Sequence, residues 1–129
     1  MLSKLKNLWK SDGQESIITP NNYDAEFELI YKDLIIGTLS LHKGVWSFLY
    51  SEEFKKQDRV KPLLDFPDVN KVYSSDELHP FFAHRIPGLG QPKVQKVLKN
   101  EQIDEHNEAK LLERFGKVSI TNPFLLHLV

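Results

Sequence analysis

Partway along its 129 residues the chain changes hydrophobic period, and that change limits the possible folds more than any other feature. From Phe27 to Tyr50 apolar side chains recur at every second position, the spacing of strands that bury one face. After His79 they recur every three to four residues, the spacing of helices that bury one stripe. Strands gathered first and helices afterwards give an α+β fold rather than a βαβ repeat. The expectation is a small antiparallel β-meander of three to four strands followed by three to four short helices packed on it.

The strands can be placed individually. Ala25 to Tyr31 alternates, with Phe27, Leu29 and Tyr31 on one face and Glu26, Glu28 and Ile30 on the other. Lys32-Asp33 reads as a tight turn into Leu34 to Leu41, where Gly37 marks a bulge or a close approach by another backbone. His42-Lys43-Gly44 turns the chain into Val45 to Tyr50, which sets Trp46, Phe48 and Tyr50 on one face. Ser51-Glu52-Glu53-Phe54 reads as an N-capped helical turn whose glutamates suit the partial positive charge of a helix start. Lys61 to Pro67 reads as a proline-bounded fourth edge strand or as an extended loop.

The helices follow from proline and cap positions. His79-Pro80 opens a short one through Phe81, Phe82 and Arg85 that stops at Pro87. Gln91-Pro92 opens a second, with Val94, Val97 and Leu98 as its stripe and an end near Asn100. A third carries Ala109, Leu112 and Phe115 before Gly116, read as a left-handed C-cap. Asn122-Pro123 opens a last turn through Phe124, Leu125 and Leu128.

Residues 1–22 read as an N-terminal amphipathic extension and linker, and residues 23–129 as the domain proper. Leu2, Leu5, Leu8 and Trp9 make a helical stripe with Lys4, Lys6 and Lys10 on other faces. Such a stripe anchors to a membrane surface, docks a partner or folds back on its own domain. No apolar run approaches the roughly 20 residues that span a bilayer, and the start lacks a signal peptide's h-region and cleavage site.

Composition excludes whole classes of function. A conventional kinase, a doubly wound dehydrogenase or a TIM barrel needs about 250 residues. Lys+Arg 17 against Asp+Glu 18 gives no basic surplus with which to coat a phosphate backbone, so direct nucleic-acid binding is not expected. Without cysteine there is no disulfide, Cys-type zinc site or thiol nucleophile, in keeping with a cytoplasmic location.

No catalytic constellation can be read. Gly88-Leu89-Gly90 before a helix has neither the Lys-Ser/Thr of a P-loop nor the third glycine of a dinucleotide site, and is read as an inter-helix loop. His42, His79, His84, His106 and His127 are scattered and form no metal box. No Gly-x-Ser-x-Gly context selects a Ser-His-Asp set. Catalytic residues, metal and cofactor are therefore all expected to be absent.

The unusual feature is aromatic and proline punctuation, in Asp65-Phe66-Pro67-Asp68 and in His79-Pro80-Phe81-Phe82-Ala83-His84-Arg85-Ile86-Pro87. Adjacent helical residues lie about 100° apart, so Phe81 and Phe82 cannot share one narrow stripe. Either one of them faces a partner or both are wedged between sheet and helices. Phe66, Pro67, Phe81, Phe82, His84 and Arg85 are the candidate partner-binding residues, forming an aromatic patch with a basic rim. On this reading Phe66→Ala and Arg85→Ala weaken binding and leave melting near wild type.

The order Leu34-Ile35-Ile36-Gly37-Thr38-Leu39, Trp46-Ser47-Phe48-Leu49-Tyr50, Asp65-Phe66-Pro67-Asp68, Tyr73 to Leu78, Pro80-Phe81-Phe82, Arg85-Ile86-Pro87 and Gln91-Pro92 resembles the N-terminal subdomain of HipA-type serine/threonine kinases. The resemblance covers roughly residues 24–126 and is strongest between 65 and 92. In HipA toxins this segment precedes the kinase core, whose nucleotide-binding and catalytic segments are not among these residues. Met1 and a start unlike a purification tag favour a native chain over a piece of a kinase.

A free-standing subdomain of this kind is similar to the HipS antitoxins of tripartite HipBST toxin–antitoxin systems, whose kinase HipT is a shortened HipA lacking the piece. The resemblance implies an antitoxin, not an enzyme, that binds and neutralises a HipT-like serine/threonine kinase alongside a HipB-like DNA-binding protein. Two alternatives stand beside it: a structural subdomain cut from a HipA-type kinase, and a general protein-interaction module unrelated to toxin control.

Overall fold

The computed structural model describes residues 23–129; the expected extension over 1–22 lies outside them. Two short turns set the sheet. Lys32, at φ 56°, reverses β1 (Ala25–Tyr31) into β2 (Leu34–His42). Lys43 and Gly44 both take positive φ, 50° and 78°, a hairpin geometry whose twist matches that of the strands it joins, here β2 and β3 (Val45–Tyr50). β4 (Tyr73–Ser75) adds beside β3, and β5 (Leu125–Leu128) adds beside β1. The sheet is antiparallel, with strand order β4-β3-β2-β1-β5. The fold is α+β, with five strands among the described residues where three to four were expected.

Among the described residues four short helices complete it: α1 (Glu52–Lys55), α2 (Pro80–Ala83), α3 (Pro92–Glu101) and α4 (Glu108–Phe115). Their starts are chemically specified. Ser51 Oγ accepts the Phe54 N–H at 2.9 Å, His79 Nδ1 the Phe81 N–H at 3.0 Å and Asn107 Oδ1 the Lys110 N–H at 3.1 Å. Proline stands in the first turn of α2 and α3, where its missing N–H leaves no bond unmade.

The alternation of the strands decides where the core lies. Phe27, Leu29, Leu39, Leu41, Trp46, Phe48, Tyr50 and Leu126 are buried with Phe82 of α2 and Ala109 and Leu112 of α4. A second, smaller cluster joins Val94 and Leu98 of α3 to Leu111 of α4. Both readings of Gly37 hold. Leu29 faces Gly37 while Ile30 faces Ile35, so Ile36 is the extra residue of a bulge. A Cβ at Gly37 would run into the Leu49 carbonyl and come within 2.8 Å of the Phe48 ring.

Of the two readings of Lys61 to Pro67 the loop is the one observed, and the fourth strand comes later, at Tyr73–Ser75. Two other local expectations are corrected. Gly116 is not left-handed, since its φ is −92°; glycine is required there by space, because a Cβ would lie 2.6 Å from both the carbonyl and Cδ1 of Leu112. The segment after Asn122-Pro123 is strand β5 and not a helical turn. Four residues gain little as an isolated helix, whereas the free edge of β1 gives Leu125 to Leu128 backbone partners at once.

Candidate partner-binding site

The site begins with a residue that the sequence reading counted only as one more strand aromatic. Tyr50 points inward from β3 and is 1% exposed. Its hydroxyl donates to the Phe66 carbonyl at 2.5 Å and accepts the Leu63 N–H at 2.9 Å. Burial pushes the Tyr50 hydroxyl above its ordinary pKa, against the opposing pull of the Leu63 N–H. With its backbone bonded to that hydroxyl, the loop drops Leu63 and Phe66 into the core and leaves Leu64 and Asp65 in solvent.

Phe66, Phe81 and Phe82 do come together, but inside the protein. Phe66 is 2% exposed and Phe82 is fully buried. The Phe66 ring centroid lies 4.8 Å from that of Phe48, 4.7 Å from His79 and 5.1 Å from Tyr73, with Phe81 edge-on at 5.8 Å. Phe81 is half-buried, and only Pro67 and His84 of the six candidates are exposed. The expected aromatic surface patch is thus the seam by which loop, α2 and sheet are joined.

Arg85 also leaves the surface. At 5% exposure it lies against the segment that leads into β5. Its Nη1 donates to the Gly116 carbonyl at 2.8 Å, and its Nη2 donates to Asn122 Oδ1 and the Phe124 carbonyl, both at 3.0 Å. Burial lowers the guanidinium pKa from its usual value. Nε has no hydrogen-bond partner among the described residues. With a longer contact to the Lys117 carbonyl at 3.4 Å the planar fork spans four acceptors between Gly116 and Phe124, so Arg85 is a clamp on the segment leading into β5 rather than a basic rim.

What opens to the surface beside this seam is a cleft of 350 Å³ at the β4 end of the sheet. Phe48, Phe66 and Phe82 form its floor, Trp46 and Tyr73 its aromatic walls, and Asp65, Lys71, Glu77 and His79 its polar rim. At the Trp46 end stands Glu108. Burial raises its carboxyl pKa, the neighbouring Glu77 charge raises it further, and a hydrogen bond from Trp46 opposes both. Sequence reasoning left Trp46, Tyr73 and Glu77 out of the site, because β3 supplies the first while the other two lie in and just after β4, a strand the sequence did not mark. Among the described residues no group of three or more His, Asp or Glu side chains stands close enough to hold a metal ion, and no helix is long and apolar enough to cross a membrane.

An antiparallel sheet with one aromatic face under short helices and a cleft at its edge defines a small α+β domain. Residues 27–120 match the HipA N-terminal domain, and the chain belongs to that family. This is the small subdomain of HipA and not its catalytic kinase domain. The match starts within β1 and ends before β5, so that strand lies beyond it. No curated protein matches the chain.

Proposed function

We propose that this chain is a protein-binding domain that holds and restrains a HipT-like serine/threonine kinase, in the manner of the HipS antitoxins. It acts in the cytoplasm, beside a HipB-like DNA-binding protein and without catalysing a reaction itself. Membership of the HipA N-terminal domain family over residues 27–120 is the observation that carries this reading. The open aromatic cleft supports it, because interface energy concentrates where aromatic residues line a pocket that a partner can fill.

The test is co-expression with a HipT-like kinase. A complex that survives a salt wash and relieves the kinase's toxicity is expected, with on the order of 1,200–2,000 Å² buried as in stable specific interfaces. A kinase that elutes apart and stays as toxic with the chain as without it would overturn the proposal. The family description also favours a second reading, in which the same domain precedes a HipA-type kinase in one chain and its surface is used in cis.

A further inference from the structure

The cleft has a chemical bias. Of its ionisable lining residues Asp65 and Glu77 are acidic and Lys71 is basic, and the Lys71 ammonium is already placed over the Tyr73 ring, 5.0 Å from its centroid. His79 Nδ1 is already engaged, accepting the Phe81 N–H at 3.0 Å. Glu108 brings a further carboxyl to the Trp46 end, near enough to Glu77 for the two to feel each other. Carboxylates at the rim of aromatic walls favour a cation, and favour guanidinium over ammonium, since it is planar, weakly hydrated and stacks on rings.

The backbone beside the cleft suggests how such a group arrives. β4 ends the sheet, and among the described residues no strand pairs with its outer edge. Tyr73 stands opposite Phe48 and Ser75 opposite Trp46, on the core side, while Ser74 faces away and meets Ser47 Oγ at 3.1 Å. A strand laid about 4.8 Å beyond β4 would carry its inward side chains over the cleft mouth.

We infer that the cleft is an arginine-accepting site: an extended partner segment pairs with the free edge of β4 and sends a guanidinium between Trp46, Phe48 and Tyr73 toward Glu77. The identity of the partner rests on the reading above; the chemistry of the site does not.

Two arms test it on the full chain. In the first, ¹⁵N-labelled protein is titrated with N-acetyl-arginine amide while the Trp46 indole and the Tyr73 to Ser75 amides are followed. Saturable shifts are expected there, weakened about fivefold in Glu77→Gln, a change at an exposed position that leaves the core intact. Absent shifts, shifts undiminished in Glu77→Gln, or equal shifts from N-acetyl-norleucine amide would overturn the site. In the second, Glu77→Lys is expected to weaken the kinase complex about tenfold with melting unchanged. Kinase binding that ignores Glu77→Lys defeats the inference and leaves the partner reading standing. A kinase that never binds, while the arginine amide still saturates at Trp46, removes the partner reading and keeps the site.

Discussion

The cluster under the sheet is built of rings from segments far apart in sequence, Phe48 from β3, Phe66 from the loop after α1 and Phe82 from α2. The cluster between α3 and α4 is built of Val94, Leu98 and Leu111, aliphatic side chains from two consecutive helices. The first joins elements that nothing local holds together, so its loss is felt everywhere. The second joins neighbours, so it can loosen while the sheet persists. The cleft opens beside the first cluster, which gives it rigid walls; α4 reaches that cluster through Ala109 and Leu112 and the cleft through Glu108, and α3 touches α4 from the far side.

That contrast can be broken most forcefully at its strong end. Phe82→Ala empties a fully buried site and is expected to cost about 3–5 kcal/mol, read as a large fall in melting temperature or loss of folded protein on expression. A small fall would mean that the seam is looser than its ring contacts imply. Arg85→Ala comes next, at about 3 kcal/mol, because Gly116, Asn122 and Phe124 lose their buried donor together. Arg85→Lys should not restore stability, since one ammonium cannot span those acceptors. Chemical denaturation of both variants decides this.

Leu98→Ala sharpens the comparison from the other side. About 2 kcal/mol is expected, with faster hydrogen exchange confined to α3 and α4 while β2 and β3 keep their protection. Ser51→Ala removes the cap of α1 and should cost about 1 kcal/mol in thermal melts. The smallest effect is pH-dependent. Because the folded-state pKa of Glu108 is raised, the folded chain resists its ionisation, and stability is lost as pH rises through that raised value. Glu108→Gln should flatten this fall when melts are compared from acid to neutral pH.

Period and punctuation made much of the fold legible, and the reason is local chemistry. Alternation from Phe27 to Tyr50 specified three strands and their faces, and Ser51, Pro80 and Pro92 marked helix starts, whereas the capping roles of His79 Nδ1 and Asn107 Oδ1 emerge only in the structure. What was illegible depends on distant partners. β5 is a strand because β1 has a free edge and Arg85 holds the approach to it, neither of which is visible between Asn122 and Leu128. Phe66 looked exposed because it sits among Asp65, Pro67 and Asp68, and its burial is set by Tyr50, 16 residues earlier. Family resemblance reached the domain's identity, whereas the cleft required Trp46, Tyr73 and Glu77 to be brought together by the fold.

Hydrogen exchange of the full chain, free and bound to a HipT-like kinase, tests the account most directly because it reads both regions at once. The account expects added protection from Lys71 to His79 along β4 and the cleft rim, with α3 exchanging as it does in the free chain. Protection gathered on α3, with the cleft rim unchanged, would contradict it.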